Sequence, residues 1–272
     1  LTPRELDREL GALADLGFED VLLLTGERRS RADFDFLRAA VARAADRFPA
    51  VSVETFPMST EDYRVLAEAG CTGVTVYQET YDREVYARVH RWGPKRDYEA
   101  RRDAPARALE AGMRSVGIGA LFGLAEPVGE ALALYRHAVE LRRRFWQSGI
   151  TLSFPRLRPE VGGFTAPHPV DERLLARIIF VLRALLPDVP LVLSTRERAG
   201  FRDGMAGLGI NRMSAASRTT VGGYGQAAED TGQFDIDDDR SVEEICSMLR
   251  SRGLDPVFKN WDPVYREDDQ AR

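Results

Sequence analysis

The chain has 272 residues, of which 44% are hydrophobic and 30% charged, and its net charge is −5. This length suits one large core or two small domains. The basic residues are dispersed, which argues against nucleic acid as a partner, and no apolar run is long enough to suggest a membrane partner. Two cysteines, Cys71 and Cys246, are too few for a disulfide scaffold, so the sequence favours the reducing cytoplasm.

The first predicted element is a helix with clear start and stop signals. Thr2 and Glu5 are spaced as a capping box, Pro3 suits the first helical position, and Gly17 suits the end of the helix. Continuous apolar runs and amphipathic helices then alternate along the chain. We predict seven strands, at residues 20–25, 51–57, 73–79, 115–121, 150–155, 190–194 and 210–215.

Strands that alternate with helices predict an α/β fold with a parallel sheet. Apolar runs without alternation indicate strands covered on both faces. Seven such units favour a TIM-type (β/α) barrel over a doubly wound sheet. Since a closed barrel of this type has eight strands and the sequence opens with a helix, we expect the first strand to be missing. We assign residues 1–218 to the barrel and residues 219–272 to a C-terminal extension, in which Ser241 and Glu244 begin a capped helix.

Polar residues follow nearly every predicted strand. In a parallel barrel the carboxyl ends of the strands meet on one face, where active sites form. The polar residues predicted to meet there are Glu27, Gln78, Glu79, Arg156, Arg158, Arg196, Glu197 and Ser217. Such charges could bind a zwitterionic ligand such as an amino acid. The carboxylate of an amino acid needs an arginine as partner, and its ammonium group needs a carboxylate. They could equally be structural ion pairs between loops.

Five strings in chain order resemble one family. They are "VTVYQETYDREVYARVHRWGPKRDY", "GIGALFGL", "SFPRLRP", "LSTRERAGFRD" and "SAASRTTVGGY". Together they are similar to 2-iminoacetate synthase, the thiamine-pathway tyrosine lyase family of the radical SAM superfamily. The hydrogenase-maturation tyrosine lyases are also similar through "QETY" and "TRE". That second family carries a C-terminal cysteine cluster, whereas the C-terminal part of this sequence has only Cys246.

The resemblance implies a complete reaction. A [4Fe–4S] cluster reduces S-adenosylmethionine, and the resulting 5′-deoxyadenosyl radical takes hydrogen from L-tyrosine. The Cα–Cβ bond then breaks to give 2-iminoacetate and p-cresol. The implied partners are the thiazole synthase of the thiamine pathway and an electron donor such as flavodoxin or ferredoxin. The protein's part is to bind, orient and exclude water.

The sequence departs from the family in its cluster motif. The family holds its cluster through CxxxCxxC on the loop after the first strand, and that motif is absent from this sequence. A cluster needs several thiolates, which Cys71 and Cys246 cannot replace. We therefore expect an N-terminally truncated member with no cluster ligands, inactive as an isolated fragment, in which Cys71 is a buried apolar residue.

The resemblance also implies a binding site for S-adenosylmethionine. Thr25, Gly26 and Glu27 stand where the superfamily's strand-end motif meets the amino group. Gln78 and Glu79 are candidates for the ribose hydroxyls or for the substrate amine. Gly117 and Gly119 would let adenine approach the backbone, although glycines here could equally mark a bend in the strand.

For the substrate, Arg196 and Ser217 are the candidates for the tyrosine carboxylate, with Ser194 beside them. Arg158, in a loop stiffened by prolines, is a second candidate. Outside the site, Arg202 and Asp203 are expected to pair with each other. His137 and His168 are expected on the surface.

Two other functional classes remain open from the residues alone. One is a barrel enzyme that uses a lysine Schiff base or a metal, although no predicted strand end carries a lysine and no group of residues has metal-ligand spacing. The other is a non-catalytic barrel remnant that binds a partner.

Overall fold

The fold is an α/β arrangement in a computed structural model that describes residues 1–26, 31–157, 165–218, 220–224 and 236–258. The strands are β1 (Asp20–Leu24), β2 (Ala50–Glu54), β3 (Gly73–Glu79), β4 (Ser115–Ala120), β5 (Gly149–Ser153), β6 (Leu191–Leu193) and β7 (Arg212–Met213). The helices are α1 (Pro3–Asp15), α2 (Arg31–Ala45), α3 (Thr60–Glu68), α4 (Arg83–Val89), α5 (Tyr98–Arg102), α6 (Ala104–Glu110), α7 (Pro127–Arg144), α8 (Glu172–Leu185), α9 (Ala199–Met205) and α10 (Val242–Ser251).

The seven strands form one parallel sheet in the order β1-β2-β3-β4-β5-β6-β7. Each strand pairs with the next along the chain, as right-handed strand–helix–strand units require. The sheet curls into a half-barrel, and the predicted seven-stranded barrel class is confirmed. Within the described residues β1 and β7 are the two edges. An ion pair between Asp20 and Arg212 connects these edges near the amino ends of the two strands.

The helix caps follow the sequence closely. Thr2 and Glu5 make both hydrogen bonds of the predicted capping box of α1, and Gly17 follows that helix with φ 84°. Ser241 and Glu244 make the second predicted box at α10. Because these side chains satisfy the free N–H groups of the first turn, local chemistry alone fixes where both helices begin.

One face of the sheet packs on the helices and forms the core. The outward side chains of the strands are apolar and almost fully buried, as illustrated by Val51, Val53, Val74, Val76, Val116, Ile118, Ile150, Leu152, Leu191 and Leu193. They join one large cluster with the inner faces of the helices. This burial accounts for the apolar residues at alternate strand positions. Helices cover one face of the sheet, whereas the apolar runs predicted cover on both faces, and the opposite face is left for a ligand.

His137 lies in the core, so the predicted surface position is wrong. Its side chain on α7 is 4% exposed, and Tyr81 Oη lies 2.8 Å from its Nδ1. Burial lowers the pKa of His137 to about 4, because an apolar environment disfavours the charged imidazole. The periodicity of α7 could have identified the inward position, but the polar residue type pointed outward.

A buried ion-pair network attaches the C-terminal segment to the sheet. Arg202 on α9 pairs with Asp238, and both side chains are fully buried. Arg240 bridges Asp238 and Asp203, with Nη2 2.8 Å from Asp203 Oδ1. The backbone N–H groups of residues 237 and 238 also donate to the Thr195 carbonyl oxygen after β6. The predicted Arg202–Asp203 pair is therefore wrong, since each residue pairs with the C-terminal segment instead.

No helix among the described residues is both long enough and apolar enough to cross a bilayer. The proposed division at residue 218 stays a prediction.

Candidate functional site

The inner face of the sheet is a polar lumen. Alternate residues of β2, β3 and β5 point away from the helix-facing core, and each is only partly buried. These inward residues are Ser52, Glu54, Thr75, Tyr77, Thr151 and Ser153. A TIM barrel that has no interior ligand fills this space with branched apolar side chains. A lumen lined by hydroxyl, phenol and carboxyl groups is instead suited to a polar ligand.

The glycines of β4 make room for the side chains of neighbouring strands. A Cβ on Gly117 would lie 2.5 Å from Thr75 Oγ1, and a Cβ on Gly119 would lie 2.8 Å from Tyr77 Cδ1. Glycine is therefore required here because the side chains of β3 lean across β4. This packing role is independent of the adenine contact predicted for the same two glycines, which stays a prediction.

Glu79 lies at the inner end of β3 in an unusual backbone conformation. Its φ is 71°, and the pairing with β4 shifts register between residues 77 and 79. Its Oε1 is 2.8 Å from Lys95 Nζ and 3.2 Å from Arg101 Nη2. Burial would raise the pKa of Glu79, but the two cations outweigh it and lower the pKa, so this carboxylate is ionised. Strained backbone of this kind collects at functional sites.

Gln78 points in the opposite direction from Glu79. Its side chain is 2% exposed, and its Nε2 donates to the Tyr98 carbonyl oxygen of α5 at 3.5 Å. Successive side chains of a strand alternate between faces, so Gln78 lies on the helix side of β3. Its Oε1 is buried without a partner in the described part of the chain. The sequence placed both residues on one rim, whereas the structure brings only Glu79 to the lumen.

The predicted substrate residues follow β6 and β7. Arg196 is half-buried, its N–H donates to Ser194 Oγ at 3.4 Å, and its charge acts on both Glu54 and Tyr77 in the lumen. Ser217 is half-buried and comes directly after Ala216, whose φ is 49°. The structure thus brings Arg196 to the polar lumen. The roles predicted for Ser194 and Ser217 stay predictions.

The residues predicted for S-adenosylmethionine after β1 are partly described. Thr25 Oγ1 lies 2.6 Å from Thr55 Oγ1, a hydroxyl–hydroxyl bond that ties the ends of β1 and β2 together. Gly26 has open space around its Cα, so a ligand could approach its backbone. Glu27 and the substrate candidate Arg158 lie outside the described residues.

Arg156 and Glu197 are a structural pair. Arg156 Nε is 2.8 Å from Glu197 Oε1, and Arg156 Nη1 donates to the Val170 carbonyl oxygen at 2.7 Å. The Glu197 side chain is 3% exposed. For these two residues the ion-pair alternative therefore holds, because the bidentate contact satisfies both groups and connects the loops after β5 and β6.

Sequence reasoning predicted none of the six inward residues of the lumen, and three of them take part in its electrostatics or hydrogen bonding. Glu54 ends β2, Tyr77 lies inside β3, and Ser153 ends β5. Burial and the neighbouring Glu79 raise the pKa of Glu54 to about 7. Burial first, and then the charge of Glu54, also raise the pKa of Tyr77, whose side chain hydrogen-bonds to Ser153. The alternation of apolar and polar residues through "VSVE", "VTVY" and "ITLS" was the signal that could have identified them.

The two cysteines do not fit a [4Fe–4S] cluster. Both are buried, and Cys71 lies just before β3, where its Sγ donates to the carbonyl oxygen of Gly73, the first residue of the strand, at the end of the sheet away from the lumen mouth. Burial raises the pKa of the Cys71 thiol to about 12, so it is not a thiolate at neutral pH. Among the residues described, no group of three His, Cys, Asp or Glu side chains could hold a metal ion. The predicted burial of Cys71 is confirmed.

Iron reconstitution of this chain under anaerobic conditions should leave the protein without a stoichiometric cluster. Clusters of this type require several thiolate ligands, and this sequence has two cysteines. The measurement is iron content together with visible charge-transfer absorption, with Cys71→Ala and Cys246→Ala as controls that should match the parent. A stoichiometric cluster that is lost in either variant would contradict this assignment.

Comparisons with known proteins agree on one superfamily. Residues 1–138 match the Radical SAM superfamily, and residues 153–255 match the Biotin and Thiamin Synthesis associated domain. The 2-iminoacetate synthase of Escherichia coli (strain K12) is 38% identical over 263 residues, which are 96% of this chain and 70% of that protein. The 2-iminoacetate synthase of Salmonella typhimurium is also 38% identical, over 98% of this chain and 71% of that protein.

Solved structures give the same result for the fold. A crystal structure of HydG, a maturase of the [FeFe]-hydrogenase, superposes with a TM-score of 0.89 at 32% identity, and HydG from Carboxydothermus hydrogenoformans gives 0.87 at 32%. Both comparisons include 96% of the present chain, but this chain spans only 58% and 61% of the length of the two HydG chains. Methylornithine synthase (PylB) gives 0.73 at 20% identity, a likeness of fold alone.

Proposed function

Because this chain belongs to the 2-iminoacetate synthase family of the radical SAM superfamily, we propose that its lumen binds L-tyrosine for cleavage of the Cα–Cβ bond. The products would be 2-iminoacetate for thiazole synthesis and p-cresol. The observation that carries the substrate proposal is the meeting of Arg196, Glu54 and Tyr77 in one polar lumen. An arginine and a carboxylate on opposite sides of a cavity complement the two charges of an amino acid.

The superfamily implies two cofactors, a [4Fe–4S] cluster and S-adenosylmethionine. Together they would supply the radical that starts the reaction. The cysteines of this sequence do not fit the cluster, and no step is assigned to them. For S-adenosylmethionine we propose Thr25, Gly26 and Glu79 as contacts. Support comes from the exposed backbone at Gly26 and the ionised, lumen-facing carboxylate of Glu79.

The chain's own residues have a simple role in this proposal. Arg196 would hold the substrate carboxylate through a planar two-point contact, and the half-buried position of the guanidinium strengthens that contact by excluding water. The rigid β3 end, fixed by Lys95 and Arg101, would keep S-adenosylmethionine and the substrate at a constant separation. We also propose thiazole synthase and a flavodoxin or ferredoxin as partners and the cytoplasm as location, on the strength of family membership.

Calorimetric titration of the chain with L-tyrosine, in the presence of S-adenosylmethionine, tests the substrate. We expect one L-tyrosine bound per chain, and much weaker binding of L-alanine, which lacks the apolar area of the ring. L-tryptophan tests the identity of the aromatic group. Binding of L-tryptophan without L-tyrosine would overturn the proposed substrate, and binding of no amino acid would overturn the proposed function.

A further inference from the structure

Glu54 is an inward-facing carboxylate with no bonded partner among the described residues. It lies at the end of β2 opposite Thr75 of β3, and the preceding Val53 is fully buried on the helix side. Across the part of the chain that the structure describes, its carboxylate makes no hydrogen bond or ion pair. A half-buried carboxylate loses part of its hydration, and no hydrogen bond from the described residues replaces it here. Such a group is stabilised when a cationic or hydrogen-bonding ligand binds beside it.

The positive groups around Glu54 do not neutralise its carboxylate by direct contact among the described residues, so a cationic ligand could do so. The groups that act on it are Glu79, which is like-charged, and Arg196, Arg101 and Lys95, which are positive. Arg101 and Lys95 are engaged with Glu79. Arg196 also acts on Glu54 electrostatically. Glu54 therefore lies close enough to Arg196 for their charges to interact, while no hydrogen bond or ion pair to the Glu54 carboxylate is found among the described residues.

A zwitterionic amino acid fits between these two charges. Its carboxylate matches the guanidinium of Arg196, and its α-ammonium group needs an anionic acceptor close by. Glu79 is already paired with two cations, so it is the poorer acceptor. Glu54 has unused acceptor capacity at the lumen wall, with the hydroxyl of Tyr77 near enough for mutual electrostatic influence.

We propose that Glu54 binds the α-ammonium group of L-tyrosine while Arg196 holds its carboxylate. This inference rests on the proposed function. The same ammonium chemistry is present in S-adenosylmethionine, so the test must separate the two ligands. Burial and Glu79 raise the pKa of Glu54 to about 7 in the free protein, and an ammonium ion beside it would lower that pKa again. Binding of L-tyrosine should therefore release a proton from Glu54 near neutral pH.

The test compares Glu54→Gln with the parent chain for three ligands. Calorimetry measures L-tyrosine, S-adenosylmethionine and 3-(4-hydroxyphenyl)propanoate, the last of which keeps the ring and the carboxylate of tyrosine but lacks the amino group. We expect Glu54→Gln to bind L-tyrosine roughly 10- to 100-fold more weakly. The propanoate should bind the variant as well as the parent, or better. Glu61→Gln, on exposed α3, is the matched control and should change neither affinity.

The pH dependence of the affinity for L-tyrosine is a second measurement, and it would not change if Glu54 had only a structural role. The parent's affinity for L-tyrosine should rise from about pH 6 to about pH 8 as Glu54 loses its proton. The slope should vanish in Glu54→Gln, and thermal unfolding of the variant should confirm that it is folded.

Four outcomes overturn the inference. Equal losses for L-tyrosine and the propanoate would mean that Glu54 only maintains the shape of the lumen. A loss confined to S-adenosylmethionine would assign Glu54 to that ligand. Unchanged L-tyrosine affinity would exclude the contact while leaving the proposed function intact. If the parent chain binds no L-tyrosine, both the proposed function and this inference fail.

Discussion

Arg196→Ala should weaken L-tyrosine binding by on the order of 2–4 kcal/mol, or roughly 30- to 700-fold. The guanidinium is half-buried where its charge reaches Glu54 and Tyr77. Its removal would leave the substrate carboxylate near the carboxyl group of Glu54 without a counter-charge, in a lumen where water screens poorly. Calorimetric titration of the variant and the parent with L-tyrosine measures this loss directly.

The control for this variant lies two residues along the same loop. Arg198 is 62% exposed and pairs with Glu172 at the start of α8, away from the lumen. Arg198→Ala should therefore bind L-tyrosine as the parent does, because an exposed pair contributes little. Affinity for S-adenosylmethionine should survive in both variants. If Arg196→Ala binds L-tyrosine as tightly as Arg198→Ala, the carboxylate contact is wrong.

Asp238→Ala should destabilise the fold by about 3–5 kcal/mol, the typical result of removing one partner of a buried ion pair. Arg202 would keep its charge in a fully buried position with its main counter-ion gone. Arg240 would also lose the contact that joins Asp238 to Asp203. Chemical denaturation, followed by circular dichroism, gives the free energy of unfolding.

Two further variants separate the charge effect from simple loss of contacts. Asp7→Ala breaks the exposed Asp7–Arg43 pair and should cost less than about 1 kcal/mol. The double variant Arg202→Met with Asp238→Leu should recover much of the stability lost in Asp238→Ala, since buried ion pairs are often replaceable by apolar residues. A cost for Asp238→Ala no larger than that of Asp7→Ala would show that the network does not stabilise the fold.

The sequence was sufficient to predict the architecture, because hydrophobic periodicity and helix capping depend on residues that are close together in the chain. Apolar runs such as "DVLLL" predicted the strands, although they predicted cover on both faces where the structure has helices on one, and the Thr2 and Ser241 boxes predicted the helix starts without tertiary information. The direction in which side chains point at the strand ends was harder to predict from the sequence. Gln78 and Glu79 are adjacent polar residues, yet alternation sends Gln78 to the helix side and a register shift brings Glu79 to the lumen. No pattern of residues in the sequence predicts that register shift.

Ion pairs between residues far apart in the chain also could not be predicted from the sequence. Arg156 and Glu197 are 41 positions apart, and Arg202 and Asp238 are 36 apart, so which charges neutralise each other depends on the folded arrangement. Glu54 was not predicted, since a single carboxylate after an apolar strand is a common pattern. Its importance arises from the lack of a bonded partner among the described residues together with the nearby charge of Arg196, and both facts exist only in three dimensions.

A crystal structure of the chain with L-tyrosine tests the central claim most directly, because it locates the amino acid without relying on turnover. The account predicts L-tyrosine inside the polar lumen, with its carboxylate on Arg196 and its ammonium group on Glu54. L-tyrosine bound on the outer, helix-covered side of the sheet, with Arg196 and Glu54 untouched, would contradict it.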